Sequence, residues 1–309
     1  MPLFLTFLLR RVTIMKLKKI LLLATFLSFA FPLMTVRSQN PADQKALLES
    51  WNKPVKPFRI IGNIYYVGTN FLACYLITTP AGHILIDTAM KESAPIIRAN
   101  IEALGYNVKY IRIILSSHAH FDHVAGHAEM KNMSGARVYA TAEDAVVLES
   151  GGAKGFYPLT QYAPVKVDRV IKDAEVVRLG NVALTARLTP GHTEGNTAWT
   201  MTVVENGKKY DVVFASSMSI NDGVRMVNNP TWPRIAEAYA RSFQTLKSLP
   251  CDVFLGPHTT FFDMEAKVSR MNADPNTNPF IDPKGYRDYI DKFEKLYNEQ
   301  LLRERTANR

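Results

Sequence analysis

The sequence predicts an α/β fold: an αββα sandwich, two mixed sheets packed face to face with helices on the outer faces. Three observations carry this. Strand-like and helix-like stretches come in blocks, strands then helices then strands then helices. The short apolar runs at 110–115 and 252–255 read as strands buried on both faces. Each histidine-bearing stretch follows a strand, so these loops should gather on one edge of the sandwich, where a rigid scaffold presents chemical groups.

Residues 58–61, 64–67, 71–77 and 83–87 read as strands, with Pro80-Ala81-Gly82 as a tight turn. Residues 94–104 place Ile96, Ile97, Ile101 and Leu104 at helical spacing. The strand at 110–115 leads into Ser117-His118-Ala119-His120-Phe121-Asp122-His123. A helix is expected near 125–133 and a strand at 138–140. Another helix opens at Thr141, with a carboxylate, Asp144, three residues on. Gly151-Gly152-Ala153-Lys154-Gly155 ends it in a flexible loop. Strands at 176–179, 182–188, 197–204 and 209–215 follow, the last two joined by an Asn206-Gly207 hairpin turn. The helix at 233–248 carries Ile235, Tyr239, Phe243 and Leu246 along one face. After the strand at 252–255, Asp282-Pro283 caps a last helix with an apolar face from Tyr286 to Leu301.

The opening segment reads as a removable leader. Arg10, Arg11, Lys16, Lys18 and Lys19 precede an apolar run at 20–31, too short for a comfortable membrane span. Met15 is an alternative start, and Val36-Arg37-Ser38 offers a cleavage point. Residues 1–38 are then a cleaved signal peptide, 39–309 a single domain, and the mature protein periplasmic. An uncleaved membrane anchor is the alternative. The leader carries six basic and no acidic residues, so its removal takes the formal charge from +9 to +3. The basicity therefore gives little support to nucleic-acid binding. Cys74 and Cys251 are too few for a disulfide framework and read as buried free thiols.

Five imidazoles and one carboxylate carry the chemistry. His118 and His120, two apart in an extended loop, can project the same way, and His192 can supply a third nitrogen. Asp122 and His123 can turn to a second metal, with His258 completing that set. Three protein ligands with an open position is the pattern of a catalytic rather than a structural zinc site. His83 and His127 stand outside these sets, although His127 shares a helical face with His123. Asp87, ending an apolar strand, is a candidate to accept the outer N–H of a metal-bound imidazole. A plain turn or cap role is its alternative.

At these motifs the chain resembles the metallo-β-lactamase superfamily, and most closely its subclass B3. The resemblance covers nearly all of the expected mature chain. It runs through Leu115-Ser116-Ser117-His118-Ala119-His120-Phe121-Asp122-His123, Thr189-Pro190-Gly191-His192-Thr193, Phe214-Ala215-Ser216-Ser217-Met218-Ser219 and Leu249-Pro250-Cys251-Asp252-Val253. Lactonase-like and glyoxalase-like relatives place a bridging aspartate after the strand that ends near Ala215, and subclass B1 places a cysteine there. Ser216 and Ser217 stand there instead. Two departures accompany the resemblance: Cys251 has no partner near the last helix, and Ser216 stands where close relatives often carry aspartate.

The resemblance implies the metallo-β-lactamase fold and two Zn2+ per chain. One is held by His118, His120 and His192, the other by Asp122, His123 and His258. It implies hydrolysis of the β-lactam amide of penicillins, cephalosporins and carbapenems, and so antibiotic resistance. A metal-bound hydroxide, oriented by Asp122, attacks without a protein nucleophile. Ser217 and Ser219 would hold the substrate carboxylate, or be ordinary loop hydroxyls. Phe156 and Tyr157 would wall the cleft, or anchor their loop. The expected partner is a small molecule, with no nucleic acid, and the expected state is a monomer. The rivals are a lactone or thioester hydrolase, a phosphodiesterase or nuclease, and a non-catalytic zinc protein.

Overall fold

A computed structural model describes residues 41–157 and 160–307. The leader, start-site and cleavage readings for residues 1–38 lie outside the described residues. The helices are α1 (Pro41–Trp51), α2 (Ala94–Ala103), α3 (Phe121–Val124), α4 (His127–Ser134), α5 (Ala142–Glu149), α6 (Ile235–Ser248), α7 (Met264–Ala273) and α8 (Pro283–Ala307). Among the described residues, no helix is long and apolar enough to cross a membrane.

The first sheet has seven strands in sequence order: β1 (Phe58–Ile61), β2 (Ile64–Tyr66), β3 (Tyr75–Thr79), β4 (Gly82–Ile86), β5 (Ile111–Leu115), β6 (Arg137–Ala140) and β7 (Arg169–Val170). It is antiparallel from β1 to β4 and parallel from β4 to β7. The second sheet contains β8 (Val176–Leu179), β9 (Val182–Leu188), β10 (Thr197–Glu205), β11 (Lys208–Phe214) and β12 (Val253–Leu255), in the order β12-β11-β10-β9-β8. Only its β11–β12 pair is parallel. Both sheets are mixed, as the sequence predicts. All four edge strands are short, with four residues in β1, two in β7, four in β8 and three in β12.

Strand alternation divides the apolar side chains between two cores. Ile77, Ile84, Ile86, Ile113 and Leu115 join Leu184, Ala186, Trp199, Met201 and Val213 of the second sheet. Their neighbours Leu76, Leu85 and Ile114 point the other way and meet Ile97 and Ile101 of α2. This two-sided burial explains the unbroken apolar run of β5. Across the second sheet, Phe254 of β12 packs on Tyr286 and Tyr289 of α8 at ring distances of 5.5 and 5.0 Å. Trp199 is 1% exposed, and its indole N–H donates to Ser116 O at 2.9 Å. Truncating a side chain of that size in a core costs about 3–5 kcal/mol.

Local signals explain most boundaries. Asn206 and Gly207 take φ of 52° and 75°, the positive values that a two-residue hairpin demands. Asp282 Oδ1 accepts Gly285 N–H at 2.8 Å and caps α8. Several expectations shift. The strand expected at 71–77 begins only at Tyr75, because residues 71–73 pair instead with the chain at 257–259. The helix expected at 125–133 starts at His127, and a separate turn, α3, precedes it. Cys74 and Cys251 are free thiols, but Cys251 is only partly buried, since it lies two residues ahead of β12. The sequence reading left out α1, α7 and the two-residue β7, none of which has strong periodicity.

Candidate metal centre

The ligand loops leave the ends of strands in both sheets. β5 ends at Leu115, and the extended stretch beyond it carries His118 and His120. His120 then sits at the N-cap of α3, whose first turn holds Asp122 and His123. Asp122 and His123 are therefore helical, whereas His118 and His120 lie in the stretch before the helix. β9 delivers His192 on a loop closed by Thr189 N–H to Asn196 O at 2.8 Å. A side chain at Gly191 would put its Cβ 2.8 Å from the Tyr239 ring, so this loop tolerates only glycine there. β12 delivers His258, and a 3-10 turn, Thr259–Phe261, follows at once.

The structure brings all six predicted residues together in the predicted sets. The donor atoms of His118, His120 and His192 lie within 4.8 Å of one another, and so do those of Asp122, His123 and His258. The His118 ring lies 4.8 Å from that of His120, 4.7 Å from that of His192 and 4.3 Å from that of His123, so the two sets adjoin.

The outer nitrogens set the orientation. His192 Nδ1 donates to Ser219 O at 2.7 Å, which leaves Nε2 to face the centre. His118 Nδ1 lies 3.1 Å from Ser117 Oγ and 3.4 Å from Ser216 Oγ. His118 Nε2 is buried with no hydrogen-bond partner among the described residues. A buried polar atom left unpaired is costly, and a divalent cation at this position would satisfy it. The donor set of imidazoles and one carboxylate suits such a cation.

Asp87 takes the supporting place that was one of its two readings. Its Oδ1 accepts Ser117 N–H at 2.7 Å, and its Oδ2 accepts Ser117 Oγ–H at 2.6 Å. The same Oδ2 lies 3.5 Å from His123 Nδ1. His127 stays outside both sets. It is fully buried, with Nδ1 2.7 Å from Thr88 Oγ1 and Nε2 2.9 Å from Ser116 Oγ. It thus ties the residue after Asp87 to the residue before Ser117. His83 packs on Tyr106 at 5.1 Å, far along β4.

Burial dominates the electrostatics. It holds His118 and His120 well below the usual imidazole range, His192 down to about 4 and His258 down to about 3. These four are neutral at pH 7, the form that binds metal. His123 is the exception. Burial works against its charge, but the Asp122 and Asp87 carboxylates outweigh it and push its pKa up to about 10. Asp122 is held well below the usual carboxylate range. Burial opposes this, and the His123, His258 and His120 rings prevail.

A narrow open cleft lies beside His120. Phe156 and Tyr157 line it, and both also anchor their loop. The Phe156 ring meets Trp232 at 5.2 Å, and Tyr157 O–H donates to Asp222 O at 3.0 Å. Ser217 Oγ and Ser219 Oγ are 2.9 Å apart, with Ser219 Oγ 3.3 Å from His192 Nδ1. Ser216 instead turns inward, its single hydroxyl proton within reach of both Ser117 O and Asn196 Oδ1.

Asp144 carries a role that the sequence hides. Thr141 Oγ accepts its N–H at 3.2 Å, as the cap predicts. Its carboxylate, however, faces the cleft and the Ala119 N–H, between two ligands. Tyr162 O–H donates to Ala119 O at 3.1 Å. A Cβ at Gly195 would fall 2.2 Å from Asp144 Oδ1, so that glycine makes room for the carboxylate.

The comparisons with known proteins agree with this arrangement. Residues 67–258 match the family model described as the metallo-beta-lactamase superfamily. Among solved structures, the chain is similar to the native FEZ-1 metallo-beta-lactamase from Legionella gormanii. Identity is 42%, the TM-score is 0.81, and the match covers 82% of this chain and 98% of that one. It is also similar to the class B3 di-zinc metallo-beta-lactamase LRA-12 from an Alaskan soil metagenome, at 34% identity and TM-score 0.77, covering 81% and 96% of the two chains. Among curated proteins it matches a hydroxyacylglutathione hydrolase from Bradyrhizobium sp. at 28% identity over 178 residues, 58% of each chain. The chain thus spans little more than half the length of that curated relative. A family match over most of the chain, on a two-sheet fold with His and Asp donors gathered at the strand ends, makes this chain a member of the metallo-β-lactamase superfamily.

Proposed function

We propose that the chain is a subclass B3-type β-lactamase, which holds two zinc ions and opens the β-lactam amide of antibiotics. The loop after β11 carries this reading. Directly after the strand it offers Ser216 to Ser219, a stretch with neither carboxylate nor thiol, and among the described residues none from this loop joins either donor group. The second ion then depends on Asp122, His123 and His258, and the serines are left for substrate. The naming of LRA-12 as a di-zinc class B3 enzyme supports the same count.

Zinc, when bound, lowers the pKa of a water toward about 7 and polarises a carbonyl. The chain's own groups do the rest. Asp122 Oδ2, 3.2 Å from His123 Nε2 and 3.7 Å from His258 Nε2, is placed to accept a hydrogen bond from the attacking water and orient it. The partly exposed Ser219 hydroxyl donates to the substrate carboxylate, and the buried Ser217 hydroxyl, 2.9 Å behind it, supports it. Phe156 and Tyr157 close the apolar side of the cleft and limit bulk water there. The His192 N–H stays committed to Ser219 O, so that ring moves no proton.

Residues 1–38 would export the protein to the periplasm, where it works as a monomer without a nucleic-acid partner. A periplasmic form beginning at Gln39 would support the export reading.

The second reading is a lactone or thioester hydrolase, favoured by the name of the hydroxyacylglutathione hydrolase relative. The deciding experiment follows absorbance with purified protein on a penicillin, a cephalosporin, a carbapenem, a lactone and a glutathione thioester, with and without chelator. Chelator-sensitive loss of the β-lactam chromophore is expected. Turnover of the thioester alone, or β-lactam turnover that survives complete zinc removal, would sink the proposal.

A further inference from the structure

His258 is held differently from its neighbours. His192 and His118 each have an oxygen in hydrogen-bond range of Nδ1, Ser219 O and Ser117 Oγ respectively, and His123 Nδ1, without a hydrogen bond, faces the Asp87 Oδ2 charge at 3.5 Å. His258 Nδ1 is buried, with no hydrogen-bond partner among the described residues. Aromatic carbon surrounds the ring instead. Phe71 and Phe261 each approach at 5.0 Å between centroids, tilted by 51° and 69°. Phe71 is in turn stacked on Trp51 at 5.1 Å and 22°.

Trp51 ends α1, and a web of hydrogen bonds fixes it relative to this stack. Trp51 O accepts Thr69 Oγ–H at 2.7 Å, and Ser50 O accepts Asn70 Nδ2–H at 2.8 Å. Lys53 N–H donates to Asn70 Oδ1 at 2.9 Å. The same loop then grips the His258 backbone from both sides. Ala73 N–H donates to Pro257 O at 2.9 Å, and Thr259 N–H donates to Phe71 O at 3.0 Å. A ligand imidazole normally takes its orientation from a hydrogen bond on its outer nitrogen. Without one, the ring orientation falls to the planes packed against it.

We propose that Trp51 is a positioning residue, which acts through Phe71 to set the His258 imidazole and thereby the affinity of the second donor set for its ion. This rests on the reading of Asp122, His123 and His258 as ligands. Trp51 meets His258 through Phe71, on which it stacks, so its effect travels through that ring and the loop that carries it.

The test is stepwise Zn2+ binding by chelator competition on the full-length mature protein. His258→Ala identifies the binding step that depends on the second set. Trp51→Ala is expected to weaken that step on the order of 10-fold, the lower end of what outer partners contribute. The other step should hold its affinity, and Trp51→Phe should recover most of the loss. Phe71→Leu should act like Trp51→Ala, and it decides the matter if Trp51→Ala fails to fold. Equal weakening of both steps, or an unchanged second step in a folded Trp51→Ala or Phe71→Leu protein, overturns the inference. A wild-type protein that takes up no second ion overturns the ligand reading, and the inference with it.

Discussion

Asp87 stands just past β4 with φ of 58°, a left-handed conformation that aspartate and asparagine tolerate better than most residues. From there a single carboxylate reaches both donor sets, His123 directly and His118 through Ser117. Asp87→Asn keeps the backbone preference and removes the charge. It should weaken Zn2+ binding at both steps by roughly 10–100-fold, read by chelator competition. An effect confined to one step would show that Ser117 does not relay the carboxylate. Asp144 gives a prediction in pH. Burial, first, and the nearby Glu143 and Asp87 raise its pKa to about 8. Unfolded, it ionises near the ordinary aspartate value of about 3.9. Between these values the folded protein keeps a proton that the unfolded chain releases, so stability contributed by neutral Asp144 is lost as pH rises toward 8. Asp144→Asn cannot titrate. Its unfolding free energy, read by urea denaturation, should gain on wild type from pH 4 to pH 8, by a difference on the order of a few kcal/mol. A constant offset across that range would contradict the buried proton.

At the scale of elements, the long amphipathic pieces were the easiest to read. In α6, buried Ile235, Tyr239, Phe243 and Leu246 recur at helical spacing, and the hairpin at Asn206-Gly207 has dihedrals that only such a pair adopts readily. The six donors were legible because their residue types are rare and densely spaced. Of their supports only Asp87 was legible, because the others come from distant parts of the chain with no residue type or spacing to mark them. Trp51 serves His258, Tyr162 serves Ala119, and Tyr289 on α8 both donates to Ser216 O and accepts Met218 N–H. The Thr141–Asp144 cap shows the limit from the other side. Its spacing was read correctly, yet the carboxylate turned to a tertiary partner instead of its own helix end. α8 also holds the chain beyond the serines, since Glu304 Oε2 accepts the N–H groups of Met226 and Val227 at 2.7 and 2.8 Å. Glu304→Ala should cost about 1–3 kcal/mol by urea denaturation, the penalty for stranding partly buried donors. A loss below a few tenths would mean that water replaces the carboxylate without strain.

Over the whole molecule, each donor set draws on both sheets. His118 and His120 follow β5 of the first sheet, and their companion His192 follows β9 of the second. Asp122 and His123 come from the first, and His258 from the second. An ion in either set would therefore join the two halves of the sandwich, and binding that favours the folded state alone must stabilise it. Free Zn2+ a hundredfold above its dissociation constant should raise the melting temperature by about 5 °C or more. Calorimetry with and without chelator would read the shift, and its absence would contradict a site that spans the sheets.

The short edge strands bear on solubility at high concentration. An open sheet edge is a template on which a second chain can add a strand, and long flat apolar edges invite it. Here β7 offers two residues, β8 exposes Arg178, and β1 exposes Arg59, which is paired with Glu205. β12 is bridged by Ile281 at Val253. None of the four gives a neighbour enough backbone to grow on, so the folded chain should resist strand-by-strand aggregation in a crowded compartment even though both sheets stop short of closing into a barrel.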